Sequence, residues 1–181
     1  MAPGEGTRPI ADRVKQTLFA ILEPDLRDAG ARVLDLFAGS GAGGIEALSR
    51  GAAAAVFVER DAGAVATIRA NLARTHLTGS SATVVQAEVV RWLAGASGPV
   101  AGPYRVVLVD PPYDRPELLD QSLERLGRGD LLGPGSVVVA KHFWKHRPPD
   151  PSGLLRSVRE RRFGETALTF YRRPASDQEE S

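Results

Sequence analysis

The sequence predicts a doubly wound α/β fold, with a mostly parallel, seven-stranded sheet and an antiparallel hairpin at its C-terminal edge. Short apolar segments typical of buried strands alternate with amphipathic segments typical of helices along most of the chain. A glycine-rich turn follows the first apolar segment, as in nucleotide-binding sheets. The last two strand-like segments are joined by a short turn at Gly164, which predicts the hairpin.

The length and composition are those of one ordinary domain. The chain has 181 residues, which suffices for a hydrophobic core but leaves little room for a second domain. Its 23 Lys and Arg residues nearly balance its 22 Asp and Glu residues, so any surface for a polyanion must be local. The chain contains no cysteine, which excludes disulfides and fits a reducing compartment. No apolar run approaches membrane-spanning length, so we expect no contact with a membrane. We also expect a cytoplasmic protein and a monomer.

The two ends of the chain differ in composition from the rest. Residues 1–6 are typical of a flexible N-terminus and residues 174–181 of a disordered acidic tail, which leaves residues 7–173 for the folded domain. Apolar residues recur at helical spacing in IADRVKQTLFAIL, which predicts an amphipathic helix. We expect Pro24 to end this helix, because proline removes a backbone donor from a helix interior.

Five strand-like segments then alternate with helix-like segments. The predicted strands are ARVLDLF, AAVFVE, ATVVQA, YRVVLVD and GSVVVAKH. The first four lead into the predicted helices in GSGAGGIEALSR, DAGAVATIRANLART, VVRWLAG and RPELLDQSLERL. Two further strands, LLRSVRERRF and ALTFYRR, form the predicted closing hairpin.

The turn after the first strand, DLFAGSGAGG, has the pattern of a nucleotide site. Gly39, Gly41 and Gly44 satisfy the G-x-G-x-x-G spacing, and glycine lets a backbone turn tightly and approach a ligand closely. Glu59 ends the second strand, where a carboxylate can accept two hydrogen bonds from a ribose diol. The alternative is a plain glycine-rich turn between a strand and a helix, which the position of Glu59 disfavours.

Two further acidic residues bear on the choice of cofactor. Asp35 lies within the first strand, where a carboxylate suits the ammonium group of an amino acid and would repel a pyrophosphate. This favours S-adenosylmethionine over a nicotinamide dinucleotide. Glu88, after the third strand, is placed either to reach an adenine amino group or to stabilise the start of the next helix. Both interpretations of Glu88 stay open at this point.

The candidate catalytic residues follow the fourth strand, in VLVDPPYDRPE: Asp110, Pro111, Pro112 and Tyr113. Proline cannot continue a strand ladder, so the strand ends here, beside the glycine turn. A carboxylate and a main-chain carbonyl can accept both N–H bonds of an exocyclic amine and aim its lone pair at a methyl carbon. Rigid prolines hold the carbonyl of Pro111, and the ring of Tyr113 offers a stacking face for an extruded base. The alternative is that the two prolines only end the strand, with Asp110 as a helix cap and Tyr113 in the core.

Several of these segments together resemble a known enzyme family. DLFAGSGAGGIEALSRGA, FVERD and DPPY are similar to motifs of class I S-adenosylmethionine-dependent N-methyltransferases. TRPIADRVKQTLF and FGETALTFYRR resemble, more narrowly, the bacterial 16S rRNA guanine-N2 methyltransferase family, and the resemblance spans residues 7–172. It implies a Rossmann-like fold, methyl transfer to N2 of a guanine, and ribosomal RNA or the assembling small subunit as partner. It also implies the cofactor contacts Asp35, Ala38, Gly39, Gly41, Glu59, Arg60, Glu88 and Asp110.

The chain departs from that family at several positions. The family usually begins with a basic hairpin before the TRP segment, whereas this chain begins almost at that segment, so we expect RNA recognition to differ. Gly43 stands where the family tends to have leucine, and Ala20 where it often has asparagine. Glu88 replaces a more usual aspartate, and Lys141 stands where an acid is common. None of these departures removes a residue of the predicted chemistry.

A basic and aromatic segment, AKHFWKHRPP, follows the fifth strand. Its composition suits phosphate contact and base stacking. We expect nucleic-acid contacts from Arg8, Arg13, Lys141, His142 and Lys145. The alternative is that Phe143 and Trp144 cover the sheet while the cations around them are solvated. The three histidines of the chain show no metal-ligand spacing, so no metal is predicted.

Three other functions stay open from the sequence. Asp-Pro-Pro-Tyr serves adenine N6 and cytosine N4 equally well, on DNA or RNA. A cofactor-binding, RNA-associated protein with little catalysis is a second alternative. An NAD-dependent oxidoreductase is a third, which Asp35 disfavours.

Overall fold

The structure is a computed structural model that describes residues 7–77, 81–96 and 100–175, without the side chains of residues 7–10. The predicted flexible segment 1–6, and all of the predicted tail except residues 174 and 175, lie outside the described residues. The helices are α1 (Thr7–Leu26), α2 (Ala42–Ser49), α3 (Ala62–Arg74), α4 (Val89–Gly95) and α5 (Pro116–Gly127). The strands are β1 (Arg32–Leu36), β2 (Ala54–Glu59), β3 (Ala82–Gln86), β4 (Tyr104–Val109), β5 (Leu132–Phe143), β6 (Arg156–Phe163) and β7 (Thr166–Arg172).

The strands form one sheet with the order β3-β2-β1-β4-β5-β7-β6. The pairs among β1 to β5 are parallel, whereas β7 runs antiparallel to both β5 and β6. The predicted doubly wound sheet and its antiparallel C-terminal hairpin are therefore confirmed. β1 pairs with β2 on one side and with β4 on the other. Strands β1 to β3 build one half of the sheet and β4 begins the other half, so the topological switch point lies between β1 and β4.

Helices cover both faces of the sheet, because the central strands are apolar on both sides. On one face α1, α2 and α3 pack through buried residues such as Phe19, Ala47 and Ile68. On the other face α4 and α5 contribute Leu93 and Leu123. Within the described ranges, no helix has the length and apolarity needed to cross a membrane.

The prediction that Pro24 ends the first helix is wrong, because α1 continues to Leu26 with Pro24 inside it. Tertiary contacts hold this last turn in place. Leu26 is fully buried, and Asp25 accepts hydrogen bonds from Arg172 at 2.7 and 2.9 Å. Arg105 also lies 2.9 Å from Asp25. These contacts with the sheet offset the loss of one backbone hydrogen bond at the proline.

Candidate active site

The candidate site lies where β1 and β4 end side by side. The two strands are in register at Leu36 and Val109, so the glycine turn after β1 and Asp110 after β4 emerge as neighbours. A cleft of about 700 Å³ opens at this point. Its walls include α1, the turn after β1 with the start of α2, the ends of β4 and β5, and the turn between β6 and β7 with the adjoining strand residues. This is the position at which open α/β sheets bind their ligands.

The turn after β1 depends on two glycines with a left-handed backbone. Gly39 has a φ of 59° and Gly41 a φ of 80°, values that residues with a side chain rarely adopt. Gly41 N–H donates to the carbonyl of Ala38 at 2.8 Å, which closes the turn before α2 begins. A side chain at Gly39 would meet no protein atom within 4 Å, and Gly39 lines the cleft. Glycine here thus leaves open space for a ligand beside the backbone.

Two further glycines allow α2 to lie directly on the sheet. A Cβ atom at Gly44 would stand 2.4 Å from Cε1 of Phe57, and one at Gly43 would stand 2.9 Å from Cδ1 of Leu108. The backbone N–H of Gly44 donates to Oδ2 of Asp35 at 2.9 Å. The third glycine of the predicted motif therefore serves the packing of α2 against β2 and a hydrogen bond to Asp35.

Asp35 is a buried carboxyl group at the base of the cleft, with a side chain that is 4% exposed. Burial raises the pKa of Asp35 to about 7, although the hydrogen bond from Gly44 opposes this shift. The nearby carboxylates of Asp110 and Glu59 raise it further. A cationic ligand placed among these three acidic groups would relieve their mutual repulsion.

Glu59 connects the end of β2 to the glycine turn. Its Oε2 accepts from Gly39 N–H at 2.9 Å, and its Oε1 accepts from Asp61 N–H at 3.1 Å. Each carboxylate oxygen has a second acceptor site, so two further donors can bind. Glu59 lies on the β2 side of the turn and is not among the described residues that line the cleft. Gly41 and Arg60 are also absent from the described residues that line the cleft, and Arg60 is exposed.

Glu88 caps the helix that follows β3. Its carboxylate accepts from Val90 N–H at 3.1 Å and from Arg91 N–H at 2.8 Å. The helix-start interpretation of Glu88 is therefore confirmed. Its contact with an adenine amino group stays a prediction, for which the second acceptor site of each oxygen remains available.

Asp110 and Tyr113 lie at the edge of the cleft, so neither fits the alternative of a cap and a core residue. The cap position of α5 is Arg115, and Tyr113 is 46% exposed. The Tyr113 hydroxyl lies 2.8 Å from Oγ1 of Thr166, the first residue of β7. Desolvation raises the pKa of Asp110, while Lys141, whose Nζ lies 3.3 Å from Oδ2 of Asp110, lowers it.

The residues predicted to contact nucleic acid occupy different surroundings. Lys141 lies in the cleft, whereas Lys145 is exposed outside it and Arg13 is exposed on α1. The side chain of Arg8 lies outside the described residues.

His142 does not form part of an exposed basic surface, which corrects the sequence prediction. Its side chain is 5% exposed, its Nε2 lies 2.8 Å from Oγ1 of Thr169, and its Nδ1 lies 2.9 Å from the carbonyl of Phe143. Burial lowers the pKa of His142, so the neutral ring is favoured.

Comparison with known proteins places this chain in a family. The profile of the family described as Conserved hypothetical protein 95 matches residues 1–172. The chain belongs to this family. Among similar proteins is "Ribosomal RNA small subunit methyltransferase D" of Escherichia coli strain K12, 34% identical over 176 residues, which are 97% of this chain and 84% of that protein. Another is "Putative rRNA methyltransferase YlbH" of Bacillus subtilis strain 168, 36% identical over 170 residues, which are 94% of this chain and 90% of that protein.

A solved structure shows the same architecture as this member of the Conserved hypothetical protein 95 family. It is described as "Putative methyltransferase yhhF from Escherichia coli" and superposes with a TM-score of 0.80 at 33% identity. The similarity covers 97% of this chain and 90% of that one. The architecture is thus the Rossmann-like fold of methyltransferases, as the resemblance of the motifs implied.

Sequence reasoning missed part of the cleft of this family member. One wall comes from α1 through Val14, Lys15 and Leu18, and another from Glu165 in the turn after β6 and Thr166 at the start of β7. The apolar face of α1 signals burial but does not reveal that its edge borders a cleft. The turn after β6 became part of the site because β7 inserts between β5 and β6, and a single sequence does not encode that order in a readable motif.

Proposed function

We propose that this protein is an S-adenosylmethionine-dependent methyltransferase that modifies the exocyclic N2 amine of a guanine in 16S ribosomal RNA. One observation carries the chemical part of the proposal. The glycine turn after β1 and the carboxylate of Asp110 after β4 share one cleft at adjacent strand ends. The names of the two bacterial relatives, both rRNA methyltransferases, support RNA as the substrate class.

The residues around the glycine turn suit this cofactor. Asp35 would face the ammonium group of its amino-acid part, and the open space at Gly39 would admit it beside the backbone. Glu59, already fixed by two backbone N–H groups, has acceptor sites left for the ribose hydroxyls. Glu88 is the candidate for the adenine amino group. When bound, the cofactor supplies an electrophilic methyl group on a positively charged sulfur.

The residues after β4 would bind and orient the target amine. The carboxylate of Asp110 accepts one N–H of the amine and the carbonyl of Pro111 the other, so the nitrogen lone pair points at the methyl carbon. The half-exposed ring of Tyr113 stacks on the extruded base, and its hydroxyl is held by Thr166. Holding the two reactants in line lowers the barrier mainly through positioning.

The reaction also requires removal of one proton. As the nitrogen–carbon bond forms and the sulfur–carbon bond breaks, the amine nitrogen becomes positively charged and must lose a proton. The carboxylate of Asp110 already accepts one of the N–H bonds, so it can take up that proton directly. Because desolvation raises the pKa of Asp110, its carboxylate is a stronger base than an aspartate with the ordinary pKa.

The test is methylation of small ribosomal subunits from cells that lack this gene, with methyl-labelled S-adenosylmethionine and identification of the product nucleoside by mass spectrometry. We expect N2-methylguanosine, and we expect Asp110→Asn to abolish it. Asp114→Asn is the matched control, because Asp114 is an exposed carboxylate four residues along that does not line the cleft. Label on another base would overturn guanine as the target. Absence of label from the unaltered protein would overturn the proposed activity.

A further inference from the structure

A tryptophan on the surface beside the cleft is stacked with two cations. Cζ of Arg162, on β6, lies 3.7 Å from the centroid of the Trp144 ring, and Nζ of Lys145 lies 5.3 Å from it. The Nε–H of Arg162 donates to the carbonyl of Gly164 at 2.8 Å, which fixes the guanidinium over the indole. We call Trp144, Lys145 and Arg162 the tryptophan platform.

The platform is tied to the turn that forms one wall of the candidate active site. Trp144 N–H donates to the carbonyl of Glu165 at 2.9 Å, and Glu165 lines the cleft. The preceding residue, Phe143, pairs with Thr166, which holds the Tyr113 hydroxyl. The turn between β6 and β7 therefore connects the tryptophan platform to the ring of Tyr113, which is expected to stack on the target base.

A second cavity, of about 650 Å³, adjoins the platform on the face of the sheet that α5 covers. Its walls include Trp144, Lys145 and Arg162 together with Arg147, and its acidic members are Asp150 and Glu160. Oδ1 of Asp150 accepts the backbone N–H of Ser157 at 3.0 Å. Among the residues that the structure describes, none of the three exposed cations Lys145, Arg147 and Arg162 forms an ion pair.

Unpaired cations around an aromatic ring match the chemistry of a single-stranded nucleic acid. A base can stack on an indole or on a guanidinium plane, and neighbouring lysine and arginine side chains can contact its phosphates. We infer that the tryptophan platform and the adjoining cavity bind a nucleotide of single-stranded RNA that flanks the target base. This inference rests on the proposed function for its substrate class, and it adds a second contact that positions the RNA over the cleft.

The experiment measures affinity for a short single-stranded RNA oligonucleotide by fluorescence anisotropy at several salt concentrations. We expect Trp144→Ala to weaken binding by about 5- to 150-fold, the usual loss for one stacked base, and Trp144→Phe to retain most of the affinity. Lys145→Gln should reduce the slope of log affinity against log salt by about 0.7, because one phosphate contact is lost. Arg128→Gln is the matched control, since Arg128 is an exposed arginine at the far end of α5. It should change neither quantity.

S-adenosylmethionine affinity, measured on the same variants by calorimetry, separates a local change from loss of the fold. Retained cofactor affinity with weakened RNA binding supports the inference. Unchanged RNA affinity and salt slope in both Trp144→Ala and Lys145→Gln would overturn it, as would equally tight binding of a double-stranded RNA. If Trp144→Ala also lost the cofactor, Lys145→Gln alone would decide, because an exposed lysine adds little to the core.

The inference and the proposed function fail separately. If the unaltered protein bound single-stranded RNA through the platform but methylated no ribosomal subunit, the proposed activity would fall while the inference stood. If it methylated subunits but Trp144→Ala and Lys145→Gln left RNA affinity and salt slope unchanged, the inference would fall while the activity stood.

Discussion

Nζ of Lys141 lies 3.3 Å from Oδ2 of Asp110, so a cation from β5 contacts the carboxylate expected to receive the target amine. The two residues follow the paired positions Ala140 and Val109 on neighbouring parallel strands. Lys141 lowers the pKa of Asp110 against the larger effect of desolvation. Asp35 lies at the base of the same cleft, and the carboxylate of Asp110 contributes to its raised pKa.

The first prediction concerns this ion pair. In Lys141→Gln the pKa of Asp110 rises further, because desolvation is no longer opposed by a cation. Since the ionised carboxylate is the active form, we expect the acidic limb of the single-turnover rate to move to higher pH. Each unit of that movement slows the reaction about tenfold on the acidic side. A pH–rate profile from about pH 5 to pH 9 checks this.

Lys141→Arg is the matched control for that profile. It keeps a positive charge within reach of Asp110, so its acidic limb should stay near that of the unaltered protein. A rate for Lys141→Gln that is lower by the same factor at every pH would contradict the prediction. Lys141 would then act through substrate binding and not through the charge of Asp110.

The second prediction concerns Glu59. In Glu59→Gln an amide NH2 group must face either Gly39 N–H or Asp61 N–H, because the carboxylate now accepts from both. One backbone donor then loses its partner, and the glycine turn loses its support. We expect S-adenosylmethionine affinity to fall by about 10- to 100-fold in calorimetry. An unchanged affinity would show that Glu59 serves neither the turn nor the cofactor.

The third prediction separates the two roles considered for Glu88. Glu88→Ala removes the cap of α4 and should cost about 1 kcal/mol of unfolding free energy in urea. Glu88→Asn can still accept from the backbone at the cap position, but it brings a donor towards the adenine amino group. If Glu88 also contacts the adenine, Glu88→Asn should weaken cofactor binding while it retains stability. Equal cofactor affinity for the Asn variant and the unaltered protein would leave Glu88 as a cap alone.

Much of the fold was predictable because local signals and tertiary structure agree. The short helix α4 and the strand β2 occupy the predicted segments, since turn residues flank each apolar run. The first helix shows the limit of such reasoning. Its last turn is held by Asp25 and Arg172, which stand 147 positions apart, and no local pattern reports such a pair.

The same limit applies to the candidate site. The motif residues Asp35, Gly39 and Asp110 do line one cleft, as the rule for parallel sheets predicts. Lys141 and His142 were expected to act together, yet successive residues of a strand point to opposite faces. Lys141 therefore faces the cleft while His142 is buried on the other face against Thr169. Which face of β5 borders the cleft depends on the insertion of β7 beside β5, and the sequence does not report that insertion.

The fourth prediction concerns the close packing of α2 on β2. Alanine is the better helix former, so Gly44→Ala would add about 1 kcal/mol of stability at an exposed helical position. Here its Cβ would stand 2.4 Å from Cε1 of Phe57, and overpacking of this kind usually costs about 1 to 3 kcal/mol. We therefore expect Gly44→Ala to lower the unfolding free energy. Phe57→Leu in the same chain should recover part of the loss, and strictly additive effects in this double-mutant cycle would contradict the proposed clash.

The fifth prediction follows from the buried carboxyl group of Asp35. Burial raises its pKa from 3.8 to about 7, so the folded protein holds this proton more tightly than the unfolded chain does. The unfolding free energy must then fall as the pH rises from about 4 to about 7. Asp35→Asn keeps an oxygen for Gly44 N–H but cannot ionise, so it should flatten this dependence and gain up to about 4 kcal/mol above pH 7. The same variant should bind S-adenosylmethionine more weakly.

Urea unfolding at several pH values checks the prediction. Asp110→Asn is measured alongside, because the pKa of Asp110 is also raised and contributes its own share of the pH dependence. A slope in Asp35→Asn equal to that of the unaltered protein would show that folding does not raise the pKa of Asp35.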